Sequence, residues 1–202
     1  MIVEITFGIA IPTPVTPTKH TVDNIKAIKD ITSYMLNLGH KNICYLAGPS
    51  DVPLYQDRVV GYVEALRERG ISVEQRLIVN CEPSVEGGYA AISSLLHNAD
   101  YQFSAIVASG DIMAIGAIRA LHDRGLNVPK DVAVSGFDDI AISALVTPSL
   151  TTVRQPKYQI GVRTMEKLLD LITGKTLSSN QDLLNYEIVI RESSGSFVGN
   201  GN

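Results

Sequence analysis

The chain has 202 residues, of which 45% are hydrophobic and 19% charged, an ordinary mixture for a globular protein of one large or two small domains. Its formal net charge of −4 and its 17 scattered basic residues disfavour a nucleic-acid surface, because phosphate binding requires clustered lysine and arginine. The sequence contains no apolar run of the roughly 20 residues that a membrane span requires.

The N-terminal residues and the two cysteines both indicate a cytoplasmic protein. Residues 2–5 can form a strand, but three prolines in IPTPVTPTKH predict an extended connection up to residue 21. The segment carries Glu4 and lacks the basic start of a secretory signal. Cys44 and Cys81 lie in separate apolar runs without CxxC spacing, which predicts buried free thiols in a reducing compartment.

Helices and strands alternate along the rest of the chain. Apolar residues spaced by three and four predict helices, and short apolar runs predict buried strands. The predicted helices cover residues 22–38, 57–69, 85–97, a segment from about 111 that Gly125 ends, and 158–172. In the last helix Ile160, Met165, Leu168, Leu169 and Ile172 are expected to turn inward. The predicted strands cover 41–48, 77–79, 105–108, 132–134, 150–155 and 186–190, and residues 140–148 are predicted as a loop or short helix. This order predicts an α/β fold with a doubly wound parallel sheet.

Residues 105–139 carry the strongest functional signal in the chain. A predicted strand at 105–108 runs into the polar residues 109–111 (SGD), which offer N-cap chemistry for the following helix. The strand at 132–134 runs towards residues 137–139 (FDD). A helix that joins two parallel strands brings both polar ends to one edge of the sheet, and ligands bind at that edge in open α/β sheets.

Three stretches resemble the effector-binding region of the lactose-repressor (LacI/GalR) family of bacterial transcription regulators. They are SGDIMAIGAIRAL at 109–121, RGLNVPKDVAVSGFDD at 124–139 and TPSLTTVRQP at 147–156. The resemblance runs from about Val22 to Ser194. It implies a fold of the type I periplasmic-binding-protein kind, with two lobes hinged by crossover strands.

The resemblance also implies how the chain divides between the two lobes. Residues 22–148 match the C-terminal lobe. Residues 149–182 match a crossover and a helix of the N-terminal lobe, and 183–194 match the strand that returns to the C-terminal lobe. Residues 1–21 are a remnant strand and linker of the N-terminal lobe, and 195–202 are expected to be a frayed tail.

Parts of the family pattern are missing from this sequence. It contains no helix-turn-helix headpiece and only a remnant of the N-terminal lobe, so the resemblance implies truncation at the N-terminal side. DNA would then be contacted only through a headpiece outside this chain. The resemblance further implies a homodimer formed through the C-terminal lobe.

Arg58 and Asp138 are the strongest candidates for ligand contact. Spacing alone allows two interpretations of Arg58. It is either a solvated arginine at a helix start, or its guanidinium donates two hydrogen bonds to a ligand with vicinal hydroxyls or a carboxylate. Asp138 is either a loop cap or an acceptor for a sugar diol. The resemblance favours ligand contact for both, with Phe137 as a stacking wall and Asp139 in a structural role.

The remaining candidates depend more heavily on the resemblance. Gly110 matches a family position often held by asparagine, so that contact is lost or passes to Ser109 or to water. Asp111 is then expected to be an N-cap. Asp23 matches a position that reaches the ligand from the side between the lobes.

The motifs of metal and cofactor sites are absent from the sequence. The four histidines have no metal-ligand spacing, and neither GxxxxGK nor GxGxxG occurs. We therefore expect no metal and no cofactor.

Three classes of function compete for this sequence. The first is the sensor of a transcription regulator, in which a sugar or related polyol or nucleoside changes dimer geometry and operator affinity. The second is a periplasmic-type sugar-binding protein of a transport system, which the missing signal sequence and the three stretches above disfavour. The third is an enzyme that binds Mg²⁺ through Asp138 and Asp139, which lacks the earlier strand-end acids and the late lysine that such a site requires. The sequence favours the sensor over an enzyme.

Overall fold

The computed structural model describes residues 22–97, 102–174 and 183–195. The expectations for residues 1–21, for the segment 175–182 and for the tail 196–202 lie outside the described residues. Within the described part, six strands form one sheet in the order β2-β1-β3-β4-β5-β6, with β1 to β5 mutually parallel and β6 antiparallel to β5. The predicted α/β fold with a largely parallel sheet is confirmed.

The elements follow the predicted order. The strands are β1 (Ile43–Ala47), β2 (Ile78–Asn80), β3 (Ala105–Ala108), β4 (Ala133–Asp138), β5 (Thr151–Arg154) and β6 (Glu187–Val189). The α-helices are α1 (Asn24–Asn37), α2 (Pro53–Glu68), α3 (Val85–His97), α4 (Asp111–Asp123) and α5 (Lys157–Ile172). Short 3₁₀ helices cover Gln75–Leu77, Ala141–Ala144 and Glu192–Ser194.

The main boundary error concerns α2, which begins at Pro53 and not at residue 57 as predicted. Proline suits the first turn of a helix, because its fixed φ is helical and its missing N–H would have had no partner there. The loop-like composition of residues 49–56 concealed this start. As a consequence Arg58 lies inside the helix and not at its beginning.

The sheet separates two apolar cores. Alternate residues of β1 point to opposite faces, so Ile43 and Tyr45 pack on α1 and α2, while Cys44 and Leu46 pack on α3 and α4. Because both faces are covered, every residue of β1 is buried. This double burial explains why the strands read as continuous apolar runs.

The paired helices on each face approach so closely that glycine is required at their contacts. A Cβ at Gly61 of α2 would lie 2.2 Å from the carbonyl oxygen of Ile25 in α1. A Cβ at Gly116 of α4 would lie 2.1 Å from the carbonyl oxygen of Val85 in α3. Backbone therefore rests on backbone in both helix pairs.

The prediction that the apolar stripe of α5 turns inward is wrong. Met165 is 55% exposed and Leu169 53% exposed, and Leu168 and Ile172 are exposed as well. Ile160 of this stripe is half-buried, and neither core contains any of the α5 residues whose side chains the structure describes. The amphipathic pattern predicted the helix correctly, but it cannot report whether the apolar face is covered.

Two further expectations concern the thiols and the membrane. Cys44 is buried as predicted, whereas Cys81 is only half-buried, and both are free thiols. In the ranges that the structure describes, no helix combines the length and the apolar character needed to cross a bilayer.

We expect Gly116→Ala to destabilise the fold by about 2 kcal/mol, since the added methyl group forces α3 and α4 apart. Gly161→Ala in α5 is the matched control, because no atom outside its own helix lies within 4 Å of the position of the new Cβ. That control should be neutral or stabilise by up to about 1 kcal/mol through helix propensity. Urea unfolding followed by circular dichroism measures both, and equal stability of Gly116→Ala and the wild type would contradict the close packing.

Candidate functional site

The candidate site lies at the carboxyl edge of the parallel strands, as the sequence predicts. Asp138 is the last residue of β4, Ser109 directly follows β3, and Gln155 directly follows β5. Because β3, β4 and β5 are adjacent in the sheet, their ends lie side by side. Arg58 reaches this edge from α2.

Arg58 is a buried side chain held in one orientation. Only 4% of its surface is exposed. Its Nε donates to Asn24 Oδ1 at 2.9 Å, and its Nη1 donates to the carbonyl oxygen of Ser109. The guanidinium carbon stands 3.7 Å from the centre of the Phe137 ring, the geometry of a cation–π contact. These contacts exclude the solvated arginine that spacing alone allowed.

Arg58 and Asp138 influence each other's ionisation. Burial lowers the pKa of Arg58, and the charge of Asp138 opposes that shift. Burial raises the pKa of Asp138, and Arg58 opposes that shift in turn. Gln155 Nε2 also donates to Asp138 Oδ1 at 2.6 Å. Since an arginine stays protonated in proteins, the edge carries a fixed positive charge beside a carboxylate.

The backbone at Asp138 and Asp139 is unusual. Asp138 has φ of +112° and Asp139 has φ of +49°, a region that residues other than glycine rarely adopt. Asp139 is fixed by Arg154 at 2.6 Å and Arg191 at 2.7 Å. Burial raises the pKa of Asp139, but hydrogen bonds from both arginines outweigh it and leave that pKa below its usual range. Asp139 thus has the structural contacts expected of it and anchors a strained turn.

The expectation that Asp111 is an N-cap is wrong. Gly110 occupies the N-cap of α4 and makes no side-chain capping bond. Asp111 is fully buried, and its carboxylate accepts from Ile140 N at 2.9 Å, Ser143 Oγ at 2.6 Å and Thr152 Oγ1. Burial raises the pKa of Asp111 to about 6, although these three hydrogen bonds lower it.

The structure places the other predicted residues unevenly around the site. Ser109 is fully buried, and its hydroxyl donates to the carbonyl oxygen of Leu46. Gly110 faces Asp138, because a Cβ there would lie 3.7 Å from Asp138 Oδ2. Asp23 caps α1 by accepting from Lys26 N at 2.9 Å.

Phe137 is fully buried as well, so its ring is not an open wall. The guanidinium of Arg58 covers one of its faces. The ring therefore supports the arginine from within the protein.

Sequence reasoning missed three residues of the site. Asn24 and Gln155 hold Arg58 and Asp138, respectively. Tyr55 packs its ring on Gly48, where a Cβ would lie 2.5 Å from the ring, and burial raises the pKa of its hydroxyl while Arg58 opposes the shift. Gln155 lies in the stretch TPSLTTVRQP and follows a strand, a signal that could have found it.

Comparison with known proteins identifies relatives of this fold and site. Residues 32–194 match the model of the periplasmic binding protein-like domain. The HTH-type transcriptional repressor CytR of Escherichia coli is 38% identical over 177 residues, which are 88% of this chain and 51% of CytR. The chain thus spans about half the length of the curated relatives it matches.

Solved structures agree with this relationship. The crystal structure of the Escherichia coli transcriptional repressor AscG has a TM-score of 0.78 and 34% identity, covering 87% of this chain and 63% of that chain. A complex of the transcriptional regulator CelR with cellobiose has a TM-score of 0.82 and 32% identity, covering 91% of this chain and 56% of that chain.

We expect Asp111 to make the stability of the fold dependent on pH. Because its folded-state pKa of about 6 lies above its unfolded value of about 4, protonation of Asp111 stabilises the fold. That contribution is complete below about pH 4 and is lost as the pH rises through 6, a difference of about 3 kcal/mol.

The measurement compares the free energy of unfolding of the wild type with that of Asp111→Asn from pH 4 to 7.5. The wild type should lose about 3 kcal/mol relative to the variant over this range, since other titrating groups are common to both proteins. Parallel pH profiles of wild type and Asp111→Asn would contradict the assignment.

Proposed function

We propose a function from the premise that this chain belongs to the family of periplasmic-binding-protein-like domains found in LacI-type transcriptional regulators. In this proposal the chain is the effector-sensing module of such a regulator. A sugar or a related small molecule binds at the carboxyl edge of the sheet. The observation that carries the proposal is the buried Arg58, fixed on Phe137 beside Asp138.

The chemistry of this edge suits a ligand rich in hydroxyl groups. A guanidinium held by Asn24 and Ser109 presents donors in a fixed direction, so little side-chain entropy is lost on binding. Asp138 supplies an acceptor, because Gln155 engages its Oδ1 and its Oδ2 faces Gly110. The CelR structure with cellobiose supports a sugar as the ligand class. Phe137 contributes by holding Arg58.

Ser109, Gly110 and Asp23 have smaller proposed roles. The Ser109 carbonyl group orients Arg58, and Gly110 places no side chain beside Asp138 Oδ2, which would lie 3.7 Å from a Cβ at this position. Asp23 lies next to Asn24, the partner of Arg58, and approaches the ligand from the side between the lobes.

Ligand binding would act on DNA through the rest of the regulator. In the proposal the DNA-binding headpiece and most of the second lobe lie outside the described residues, and the effector favours one arrangement of the lobes. A cytoplasmic location and a role without catalysis follow from this function. A transport binding protein is the weaker alternative, because the relatives found by comparison are regulators.

We also propose that the chain pairs with a second copy of itself through a pairing surface formed by Ile112, Ile142 and Leu145. These side chains are 40%, 50% and 79% exposed, and an apolar group that exposed favours association. Beside them, a groove of about 500 Å³ runs between α4 and residues 126–128 and 146–148. The family resemblance supports pairing through this lobe.

The ligand proposal predicts a thermal shift with a sugar. With cellobiose, D-glucose, D-ribose or a nucleoside at 100 times its dissociation constant, binding adds about 2.7 kcal/mol and raises the melting temperature by several degrees. Arg58→Ala and Asp138→Asn should each remove the shift. Arg67→Ala and Asp123→Asn, exposed residues of α2 and α4, should retain it. A shift that survives both site substitutions would place the ligand elsewhere.

The pairing proposal predicts that Leu145→Glu converts the dimer to a monomer. A buried carboxylate without a partner costs several kcal/mol, which corresponds to at least a hundredfold weaker association. Leu169→Glu is the matched control, because it places the same charge on the exposed apolar face of α5. Sedimentation velocity of both variants distinguishes the two faces. If Leu169→Glu dissociates the dimer and Leu145→Glu does not, the interface lies on α5 and the proposed pairing surface is wrong.

A further inference from the structure

A short segment of chain joins the candidate ligand site to the pairing surface. It begins at Asp138, at the end of β4, and continues through the 3₁₀ helix Ala141–Ala144 to Leu145. Asp138 belongs to the ligand site, and Ile142 and Leu145 belong to the pairing surface. Six residues therefore lie between Asp138 of the ligand site and Leu145, the most exposed residue of the pairing surface.

The carboxylate of Asp111 holds the middle of this segment. Its Oδ2 accepts from the backbone N–H of Ile140 at 2.9 Å and from the hydroxyl of Ser143 at 2.6 Å. Its Oδ1 accepts from the hydroxyl of Thr152 in β5. Asp111 is the first residue of α4, so the carboxylate connects the start of α4 both to the segment and to the sheet.

The sheet makes room for this carboxylate. A Cβ at Gly136 of β4 would lie 2.3 Å from Asp111 Oδ1, closer than any real contact of that kind. The φ of Gly136 is not in the left-handed region, so the glycine is required for space and not for backbone conformation. Leu150, the residue before β5, closes the same space, because a Cβ at Gly136 would lie 3.1 Å from its Cδ2.

Other bonds also define the shape of the segment. Ser143 N donates to the Ile140 oxygen at 2.9 Å, and the Ile142 oxygen accepts from Leu145 N at 2.9 Å and from Val146 N at 3.1 Å. Leu150 N, just before β5, donates to the Ser143 oxygen at 2.7 Å, and Asp139 near the start of the segment is held by two arginines. The two bonds to Asp111 join residues 140–145 to α4, the helix that carries Ile112.

We propose that Asp111 is a positioning residue, which holds residues 140–145 against α4 so that Ile142, Leu145 and Ile112 form one surface for the second copy. The same carboxylate fixes the residue that follows the Asp138–Asp139 turn. Movement of that turn on ligand binding therefore reaches the pairing surface through Asp111. This inference rests on the proposed pairing of two copies.

The test uses two substitutions that each remove one hydrogen bond from the same carboxylate. Ser143→Ala removes a bond that holds residues 140–145, whereas Thr152→Val removes the bond from β5 to the carboxylate and a long bond of 3.4 Å from Asp139 N. Ser143→Ala should weaken pairing at least tenfold in sedimentation experiments, while Thr152→Val changes it less than twofold. Hydrogen–deuterium exchange of the amides of residues 140–146 should accelerate at least tenfold in Ser143→Ala and remain unchanged in Thr152→Val.

A third variant displaces the carboxylate without altering it. Gly136→Ala should reproduce both effects of Ser143→Ala, because the methyl group occupies the place of Asp111 Oδ1. Thermal unfolding of all variants shows whether the effects follow general stability or the segment.

The outcomes separate this inference from the proposed pairing. Equal weakening of pairing by Ser143→Ala and Thr152→Val would overturn the positioning role, since a general loss of stability would then explain both. If the amides of residues 140–146 exchange hydrogen for deuterium at the same rate in Ser143→Ala as in the wild type, the positioning role of Asp111 is overturned as well, even where the wild-type chain is a dimer. A wild-type chain that stays monomeric at all concentrations would overturn the proposed pairing and the inference that rests on it.

Discussion

The buried guanidinium of Arg58 is the interaction on which the arrangement of this edge depends. A charge withdrawn from water is tolerated only when its donors are satisfied and an opposite charge or polarisable group lies nearby. Arg58 has an amide oxygen from α1, a carbonyl oxygen from the loop after β3, an aromatic face from β4 and the field of Asp138. Helix α1, the loop after β3 and strand β4 must therefore be in register with α2 before this side chain can be buried.

The two-sided sheet provides that register. Because α1 and α2 touch backbone to backbone at Gly61, Arg58 in α2 and Asn24 in α1 are held at a fixed separation. Because β1, β3, β4 and β5 are parallel neighbours, the residues after them arrive at one edge without long connections. The strained turn at Asp138 and Asp139 lowers the stability of the fold, and the packing of the apolar cores on both faces of the sheet offsets this cost.

Sequence patterns predicted the fold better than they predicted the contacts of the site. Continuous apolar runs placed β1 and β3 near their observed positions, since a strand buried on both faces leaves a local signature in the sequence. The start of α2 was missed because residues 49–56 have the composition of a loop. Local spacing also left Arg58 as either solvated or functional, because its burial depends on Asn24 and Ser109, which are 34 and 51 residues away.

Asp111 also shows that local sequence cannot predict contacts between distant residues. An aspartate at a helix start is normally an N-cap, and the local sequence contains nothing against that interpretation. Its actual partners Ser143 and Thr152 are 32 and 41 residues away and come from other elements. Only tertiary contacts decide between a residue that caps its own helix and one that holds another segment.

The three carboxylates of this edge have different environments, which argues against a shared cation site. Both oxygens of Asp139 are engaged by arginines, and both oxygens of Asp111 accept from protein donors. Asp138 has a partner for Oδ1 and directs Oδ2 towards Gly110. A divalent cation needs several carboxylate oxygens that converge on one point. An edge that combines arginine donors with the acceptor oxygens of Asp138 instead suits a neutral ligand that both donates and accepts hydrogen bonds, as a sugar hydroxyl does.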